Sequence, residues 1–200
     1  GVRCLDCGFS AHLKCSEKSR PDCRPEAKYI KRMFAVDLTT LCLAHNVRVP
    51  TPLLNCIDEI ERRGINTEGI YRLEEDIHTV AGLLKLYLRL LPQQLVPFSV
   101  FRALLKSYTN SIDHLERIRN CRNALDELNE ANKDTLRTLL THLRKIASNS
   151  NENKMSAENL STIFSPTIFC TGNFPFPVLP NQQHVLLNFL ITNKNILGPC

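Results

Sequence analysis

The stretch Leu-Leu-Lys-Leu-Tyr-Leu-Arg-Leu-Leu-Pro at positions 83–92 gives the clearest indication of the fold. Together with the residues before it, this stretch repeats apolar side chains every three or four positions, which predicts one amphipathic helix from about Asp76 to Leu91. The proline ends the pattern because it cannot continue a helix. Lys85 and Arg89 are four residues apart and therefore share one face of this helix. The apolar face is expected to consist of Ile77, Val80, Leu84, Tyr87, Leu88 and Leu91.

The helical periodicity continues on both sides, and no strand pattern of comparable length follows residue 36, so we predict an all-α domain. Thr51 and Pro52 predict a helix start, with the Thr51 hydroxyl as the cap and proline in the first turn. Gly64 is a natural end for that helix. Pro97 predicts another start, and Ser156 predicts a further cap. Other apolar stripes are expected at Leu53, Leu54, Ile57 and Ile60; at Phe101, Leu104, Leu105 and Tyr108; at Ile112, Leu115, Ile118, Leu125 and Leu128; at Leu136, Leu139, Leu140, Leu143 and Ile146; and at Val185, Leu186, Phe189, Leu190 and Ile196.

Composition limits the class of protein. The chain has 200 residues, 43% of them hydrophobic, which suits one domain with a full core, or one domain plus a small module. Its formal charge of +5 is modest, and it lacks a basic stripe with interleaved aromatics, so no nucleic acid is expected as a partner. The sequence has no apolar run of membrane-spanning length and does not open with a signal-peptide pattern. The absence of an initial methionine indicates a fragment of a longer protein.

The nine cysteines fall into two groups. Four of them crowd the first 23 residues together with a histidine, in the order Cys4, Cys7, His12, Cys15 and Cys23. Thiolates and an imidazole at such short spacing favour a tetrahedral zinc ion. Scattered single cysteines instead indicate buried thiols in a reducing compartment, so we expect a cytoplasmic protein, with a disulfide scaffold as the alternative. The scattered cysteines are Cys42, Cys56, Cys121, Cys170 and Cys200.

The order of the amino-terminal ligands resembles the second half of a C1 domain, the diacylglycerol-binding module of lipid-regulated signalling proteins. A complete C1 domain holds two zinc ions. The resemblance implies that Cys4, Cys7 and Cys23 belong to one site, and that His12 and Cys15 belong to the other. This segment then supplies only part of each four-ligand set, so both sites are incomplete. We therefore expect that the chain does not hold zinc tightly at both sites, and that it binds diacylglycerol-containing membranes weakly or not at all.

Three runs of the helical region resemble the RhoGAP domain, a GTPase-activating module for Rho-family small GTPases. They are Ile-Asn-Thr-Glu-Gly-Ile-Tyr-Arg at 65–72, Leu-Lys-Leu-Tyr-Leu-Arg-Leu-Leu-Pro at 84–92, and Asn-Lys-Met-Ser-Ala-Glu-Asn-Leu-Ser-Thr-Ile-Phe-Ser-Pro-Thr at 153–167. The resemblance predicts three regions: a partial zinc module at 1–23, a basic linker at 24–35 and a RhoGAP domain at 36–200. A C1 module before such a domain resembles the chimaerins, which act on Rac, so a Rac-like GTPase in its GTP form is the implied partner.

The resemblance assigns roles to four residues. Arg72 is the implied arginine finger. Lys85 and Arg89 are implied to support the loop that carries the finger and to contact the GTPase, and Asn159 to line the same face. The chain would then be an activator that completes the active site of its partner, and not itself an enzyme.

An arginine suits this task for an electrostatic reason. Hydrolysis of GTP is slow because negative charge grows on the phosphoryl oxygens, and an arginine from a partner compensates that charge, which is worth about 10³–10⁵ in rate. The planar guanidinium can bridge two oxygens and stays charged, which lysine does less well. On composition alone, however, Arg72 could be a solvated surface residue and Lys85 and Arg89 a solvent face.

The sequence departs from the family pattern after the arginine. Leu73 passes directly into Glu74, where the family has a short helix and a loop, so about thirty residues are absent at this junction. We expect this change to pull Arg72 out of place, or to draw it into the next helix, and to uncover apolar surface on neighbouring helices. Smaller departures are Leu90 in place of an acid, Ser165 in place of a glycine with its backbone freedom, and Gln93-Gln94 in place of Glu-Pro.

These departures leave an alternative open: a catalytically impaired GTPase-binding module, or a truncated form of a longer activator. A zinc-dependent nucleic-acid module is disfavoured because no recognition helix or stacking motif accompanies the cysteines. A metalloenzyme is disfavoured because no general base has a useful spacing from the ligands. His78, His114 and His142 are isolated in sequence and are expected to be surface or core residues without a catalytic role.

Overall fold

The computed structural model describes residues 2–3, 10–17, 32–72, 76–169 and 180–197. A short antiparallel pair precedes the helical region, with Val2 opposite Ala11 and Arg3 opposite Ser10. The elements are β1 (Val2–Arg3), β2 (Ser10–Ala11), α1 (Leu13–Ser16), α2 (Leu38–His45), α3 (Thr51–Arg63), α4 (Asp76–Arg89), α5 (Phe98–Asn110), α6 (His114–Leu125), α7 (Glu130–Ser148), α8 (Ser150–Asn153), α9 (Ala157–Ile168) and α10 (Pro180–Thr192).

The helical class predicted from the sequence is confirmed. Helix α3 packs against α4, α5 against α6, and α9 against α10, while α7 contacts α2, α9 and α10. The longest of these helices, α7, lies in the core because its apolar positions recur at helical spacing. All five residues predicted for its buried stripe are fully buried: Leu136, Leu139, Leu140, Leu143 and Ile146. Within the described residues, no helix combines the length and the apolar character that crossing a bilayer demands.

Several helix boundaries follow from their predicted signals. Gly64 ends α3, and its N–H donates to the Ile60 carbonyl at 2.8 Å. Pro97 precedes α5, and Ser156 caps α9 by accepting a hydrogen bond from the Asn159 N–H at 3.2 Å. Proline and hydroxyl residues therefore marked these helix starts correctly.

The prediction that the Thr51 hydroxyl caps α3 is wrong. Thr51 is the first residue of α3, and Pro50 occupies the cap position without a side-chain hydrogen bond. The Pro50 carbonyl instead accepts from the N–H groups of Leu53 and Leu54, at 3.0 and 3.2 Å. Pro52 is tolerated in this first turn because the N–H it lacks would have had no partner within the helix.

Two apolar stripes extend less far than predicted. Ile112 is 94% exposed and Leu115 is 76% exposed. Helix α6 begins only at His114, where the Asp113 side chain accepts from the Glu116 N–H, so Ile112 precedes the helix and Leu115 lies in its first turn. Val185, at the edge of the α10 stripe, is exposed as well.

Ser165 does not need the backbone freedom of a glycine. It lies within α9, is buried, and is not among the residues with positive φ. The departure from the family pattern at this position therefore carries no backbone strain. The amino-terminal boundaries predicted at 23 and 35 fall in or beside segments outside the described residues, and they stay predictions.

Candidate functional site

Arg72 ends a loop of residues 64–72 that follows α3, hereafter the 64–72 loop. Successive turns close this loop: Thr67 N–H donates to the Gly64 carbonyl, and Arg72 N–H donates to the Gly69 carbonyl at 2.7 Å. Arg72 is exposed. The expectation that Arg72 would be drawn into the next helix is wrong, because Arg72 lies in a turn and α4 begins at Asp76.

Tyr71, immediately before Arg72, has an unusual backbone conformation. Its φ is 75°, in the left-handed region that bulky residues rarely adopt, and Gly69 nearby has φ 68°. Such a conformation persists only where the surroundings over-determine it. The Tyr71 ring is 1% exposed and meets the Phe164 ring edge-on, with ring centroids 4.8 Å apart.

A buried polar network holds the Tyr71 side chain. The Tyr71 hydroxyl lies 2.5 Å from Nε2 of His142 on α7, and Nδ1 of His142 lies 2.9 Å from Oε1 of Glu61 on α3. Lys145 also pairs with the Glu61 carboxylate. Because a carboxylate can only accept, Nδ1 of His142 carries the proton, and the bare Nε2 accepts from the Tyr71 hydroxyl.

The charge states agree with this hydrogen-bond assignment. Burial lowers the pKa of His142 and outweighs the opposing effect of Glu61, so the imidazole is neutral at pH 7. Burial also raises the pKa of Tyr71 well above its ordinary value, which keeps the hydroxyl protonated. Burial alone would raise the pKa of Glu61, but the hydrogen bonds from Lys145 and His142 prevail and lower it, so this carboxylate is charged.

Lys85 contacts the backbone of the same loop. Its Nζ donates to the Tyr71 carbonyl at 2.6 Å, and the side chain is half-buried. Arg89 follows one helical turn later on α4 and is exposed. The structure thus brings Lys85 directly to the residue that precedes Arg72, with Arg89 beside it on the helix.

Asn153 ties the 64–72 loop to the start of α9. Its carbonyl accepts from the Gly69 N–H at 2.8 Å, and its fully buried side chain donates to the carbonyls of Ile65 and Ile146 at 2.8 and 2.9 Å. The next residue, Lys154, has φ 58°, and its carbonyl accepts from Nδ2 of Asn159 at 3.1 Å. Exposed Asn159 therefore connects to the loop through two neighbouring residues.

Sequence reasoning did not identify Glu61, Tyr71 and Asn153 as residues that hold the 64–72 loop. It also treated His142 as isolated. The sequence predicted that His142 is either a surface or a core residue, and the structure places it in the core. Both of its ring nitrogens are hydrogen-bonded. It lies 71 positions from Tyr71 and 81 from Glu61. No local pattern in the sequence could have revealed these partners.

The predicted zinc ligands are only partly within the described residues. Cys4, Cys7 and Cys23 lie outside them, His12 is exposed between β2 and α1, and Cys15 belongs to α1. No group of three or more potential ligands is found in the described part of the chain. Thiolates and imidazole are donor types that zinc accepts, but five donors do not fill two four-ligand sites.

The scattered cysteines that the structure describes are buried and free, as predicted: Cys42, Cys56 and Cys121. Burial raises the pKa of Cys42 and of Cys121 to about 11, so these thiols stay protonated and unreactive at neutral pH. Cys170 and Cys200 lie outside the described residues.

Comparison with known proteins identifies related sequences and folds. The RhoGAP domain family matches residues 73–173. Rat N-chimaerin is 34% identical over 98% of this chain and 68% of its own length, and mouse beta-chimaerin is 35% identical with the same two coverages. Chicken Rho GTPase-activating protein 15 is 31% identical over 78% of this chain and 39% of its own length. The chain spans about half the length, 49%, of human N-chimaerin.

Two solved structures share the architecture. The crystal structure of human Rho GTPase activating protein 15 superimposes with a TM-score of 0.79 at 25% identity, covering 94% of this chain and 99% of that one. The BH domain from Graf, the GTPase regulator associated with focal adhesion kinase, gives a TM-score of 0.65 at 26% identity, over 74% and 92% of the two chains.

Proposed function

This chain belongs to the RhoGAP family of Rho-GTPase-activating proteins, and from that premise we propose that Arg72 is the arginine finger it lends to a Rac-like GTPase. The observation that carries the proposal is the contrast between two adjacent residues. Tyr71 is buried and held from several sides, whereas Arg72, next in the chain, is exposed. A fixed backbone with an outward guanidinium is the arrangement that delivery of a cation to a partner requires.

Lys85 supports the finger through the backbone. Its ammonium group donates to the Tyr71 carbonyl, and this contact restrains the peptide that joins Tyr71 to Arg72. Restraint of this kind matters because a displacement of about 1 Å at a catalytic group can cost about 10²-fold in rate.

Arg89 and Asn159 provide contacts to the GTPase around the finger. Both are exposed, and two exposed leucines of the same stretch, Leu86 and Leu90, flank Arg89 in sequence. Arginine and apolar side chains together are typical of protein–protein interfaces, where Arg is enriched. Leu90, where the family has an acid, adds apolar surface and removes a negative charge from this region.

In the proposed mechanism the GTPase supplies the nucleotide and the attacking water. Arg72 brings positive charge and two parallel N–H donors to the phosphoryl oxygens, where negative charge grows as the bond to the leaving phosphate breaks. The gain is about 10³–10⁵ in rate, which corresponds to roughly 4–7 kcal/mol of barrier. The chain itself breaks no bond, so it acts as an activator of its partner's hydrolysis.

A second candidate function is a GTPase-binding module with little activation. What favours it is the length of the alignment with rat N-chimaerin, which runs over 227 positions although this chain has 200 residues. At least 27 positions of the relative thus have no counterpart here. We place this difference after Leu73, where the family pattern breaks, and the loss of a supporting segment there would lower catalysis more than binding.

One experiment separates the two functions. GTP hydrolysis by purified Rac is measured with increasing amounts of this chain, of Arg72→Ala and of Arg72→Lys, together with binding to Rac in its GTP form. The finger proposal expects acceleration by the wild type and a loss of about 10³-fold in Arg72→Ala, with Arg72→Lys close to Ala because lysine lacks the planar fork. Equal rates for wild type and Arg72→Ala would refute it, and binding without acceleration would establish the second function.

For the amino-terminal segment we propose a partial C1 module in a cytoplasmic protein. The alignments with the chimaerins cover 98% of this chain and thus include most of this segment, which supports the assignment. With an incomplete ligand set, the chain should retain fewer than two tightly bound zinc ions and show little binding to vesicles that contain diacylglycerol. Two firmly held zinc ions by metal analysis, or saturable diacylglycerol-dependent vesicle binding, would contradict this proposal.

A further inference from the structure

A hydrogen bond between two buried side chains links the 64–72 loop to the central helix. The Tyr71 hydroxyl and Nε2 of His142 are 2.5 Å apart, and each residue is 1% exposed. The His142 ring is itself fixed, because its other nitrogen donates to Glu61. The bond is therefore made between one group with a defined tautomer and one residue in a strained backbone conformation.

The hydrogen bond to His142 helps to keep the Tyr71 backbone in its left-handed conformation. A φ of 75° is unfavourable for tyrosine, so the residue would relax toward ordinary angles if its side chain were released. The next peptide group carries Arg72, so any relaxation at Tyr71 changes the direction in which the arginine leaves the loop. The Tyr71 ring packs edge-on against Phe164, and the hydroxyl bond to His142 adds a directional restraint at the far end of the ring.

We propose that His142, oriented by Glu61, is a positioning residue for Arg72: by accepting the Tyr71 hydroxyl it holds the 64–72 loop in the geometry that presents the arginine to the GTPase. This inference rests on the proposed function of Arg72. His142 touches no reacting atom in this scheme and acts only through Tyr71.

The chain contains a matched control for the hydroxyl. Tyr87 on α4 is 2% exposed, comparable to Tyr71, but its hydroxyl has no hydrogen-bond partner among the described residues. Tyr71→Phe and Tyr87→Phe therefore remove the same atom from equally buried sites, and only the first breaks a bond. A second matched pair lies on α3, where Glu61 bonds to His142 while Glu59 pairs with Arg62 and Arg63.

The test compares Tyr71→Phe with Tyr87→Phe in two measurements. In Rac GTP hydrolysis, Tyr71→Phe is expected to lower the maximal rate about tenfold at saturating chain, with the half-saturating concentration changed less than twofold. In native-state amide exchange, the 64–72 loop of Tyr71→Phe should exchange faster than that of the wild type. Tyr87→Phe should match the wild type in both.

The double variant Tyr71→Phe/Arg72→Ala tells positioning from general stability. If the hydroxyl acts through Arg72, its loss costs nothing more once the arginine is gone, so the double variant should equal Arg72→Ala in rate. Two results would assign the bond to general folding and overturn the proposal. One is a lower rate in the double variant than in Arg72→Ala, and the other is a half-saturating concentration that rises more than twofold in Tyr71→Phe.

Glu61→Ala tests the same network from its far end, and serves as well if Tyr71→Phe does not fold. It should speed amide exchange in the 64–72 loop and lower the maximal rate, whereas Glu59→Ala should do neither. Unchanged loop exchange in Tyr71→Phe or, if that variant does not fold, in Glu61→Ala, would overturn the positioning role while leaving Arg72 as the finger. If Arg72→Ala were as active as the wild type, the proposed function would fail, and the positioning role with it.

Discussion

The ammonium group of Lys85 lies 2.6 Å from the carbonyl oxygen of Tyr71, so α4 holds the residue that immediately precedes the exposed Arg72. The contact joins a residue before the junction at 73–74, where we propose that a segment is missing, to one after it. The two halves of the candidate site are therefore connected directly, although residues 73–75 between them lie outside the described part of the chain.

Lys85→Met is expected to separate the loop from α4. The methionine keeps most of the side-chain volume but cannot donate, so the Tyr71 carbonyl loses a charged donor and the free energy of unfolding falls by about 1–2 kcal/mol. The maximal Rac hydrolysis rate should fall about tenfold. Lys106→Met on α5, at an exposed lysine, is the control and should alter neither thermal unfolding nor turnover.

Asn153 is expected to be among the most sensitive polar residues. Its side chain donates to two carbonyls and accepts from the Met155 N–H at 2.8 Å. Asn153→Ala removes the amide donor from the Ile65 and Ile146 carbonyls and the acceptor from the Met155 N–H, although the Ile146 carbonyl keeps a backbone donor. This loss should lower the free energy of unfolding by about 2–4 kcal/mol in urea titrations. Asn151→Ala, at an exposed position of the same short helix, should change it by less than about 0.5 kcal/mol. Similar losses in both variants would contradict the importance given to these bonds.

Two glycines should respond to alanine with opposite signs. A Cβ at Gly64 would lie 2.6 Å from Cγ1 of Ile77, so Gly64→Ala forces α3 and α4 apart and should cost about 1–3 kcal/mol. A Cβ at Gly82, within α4, would meet nothing within 4 Å. Gly82→Ala should therefore stabilise the chain by about 0.5–1 kcal/mol through helix propensity. Denaturant midpoints of the wild type and the two variants, measured under the same conditions, show whether each substitution stabilises or destabilises the chain.

The buried network predicts loss of stability in mild acid. The folded-state pKa of His142 lies below its ordinary 6.5, so the unfolded chain binds a proton first, and the stability present above pH 6.5 is lost as pH falls toward the folded value. The pKa of Glu61 is also lowered, from 4.5, and its contribution is lost at still lower pH. Unfolding midpoints between pH 7.5 and 5.5 should fall in the wild type and fall less in His142→Gln. Parallel curves for the two proteins would exclude His142 as the titrating group.

Features that depend on residues close together in the sequence could be predicted, whereas contacts between distant segments could not. The buried face of α7 follows from local periodicity. Four leucines and one isoleucine at helical spacing form a single apolar face, and that face packs into the core. The exposed Ile112 and Leu115 show the limit of the same reasoning, since periodicity does not say where a helix begins. The short runs that resemble the family suggested Arg72, Lys85, Arg89 and Asn159 as candidates, and the roles of these residues stay predictions.

The residues that hold the site were beyond such reasoning. Glu61, Tyr71 and His142 meet only after three separate segments fold together, and each looks ordinary in its own segment. The left-handed backbone at Tyr71 has no signal either, because tyrosine is not a residue that favours it. Asn153 was read as part of a motif, but its three side-chain hydrogen bonds became visible only with the fold.

Among the described residues, the hydrogen bonds that tie the 64–72 loop to other segments attach at or before the Tyr71 carbonyl: Gly69 to Asn153, the Tyr71 hydroxyl to His142, and the Tyr71 carbonyl to Lys85. A gain or loss of chain length after Arg72 therefore begins downstream of every one of them. In evolutionary terms, an insertion or a deletion at this junction can leave these upstream hydrogen bonds in place.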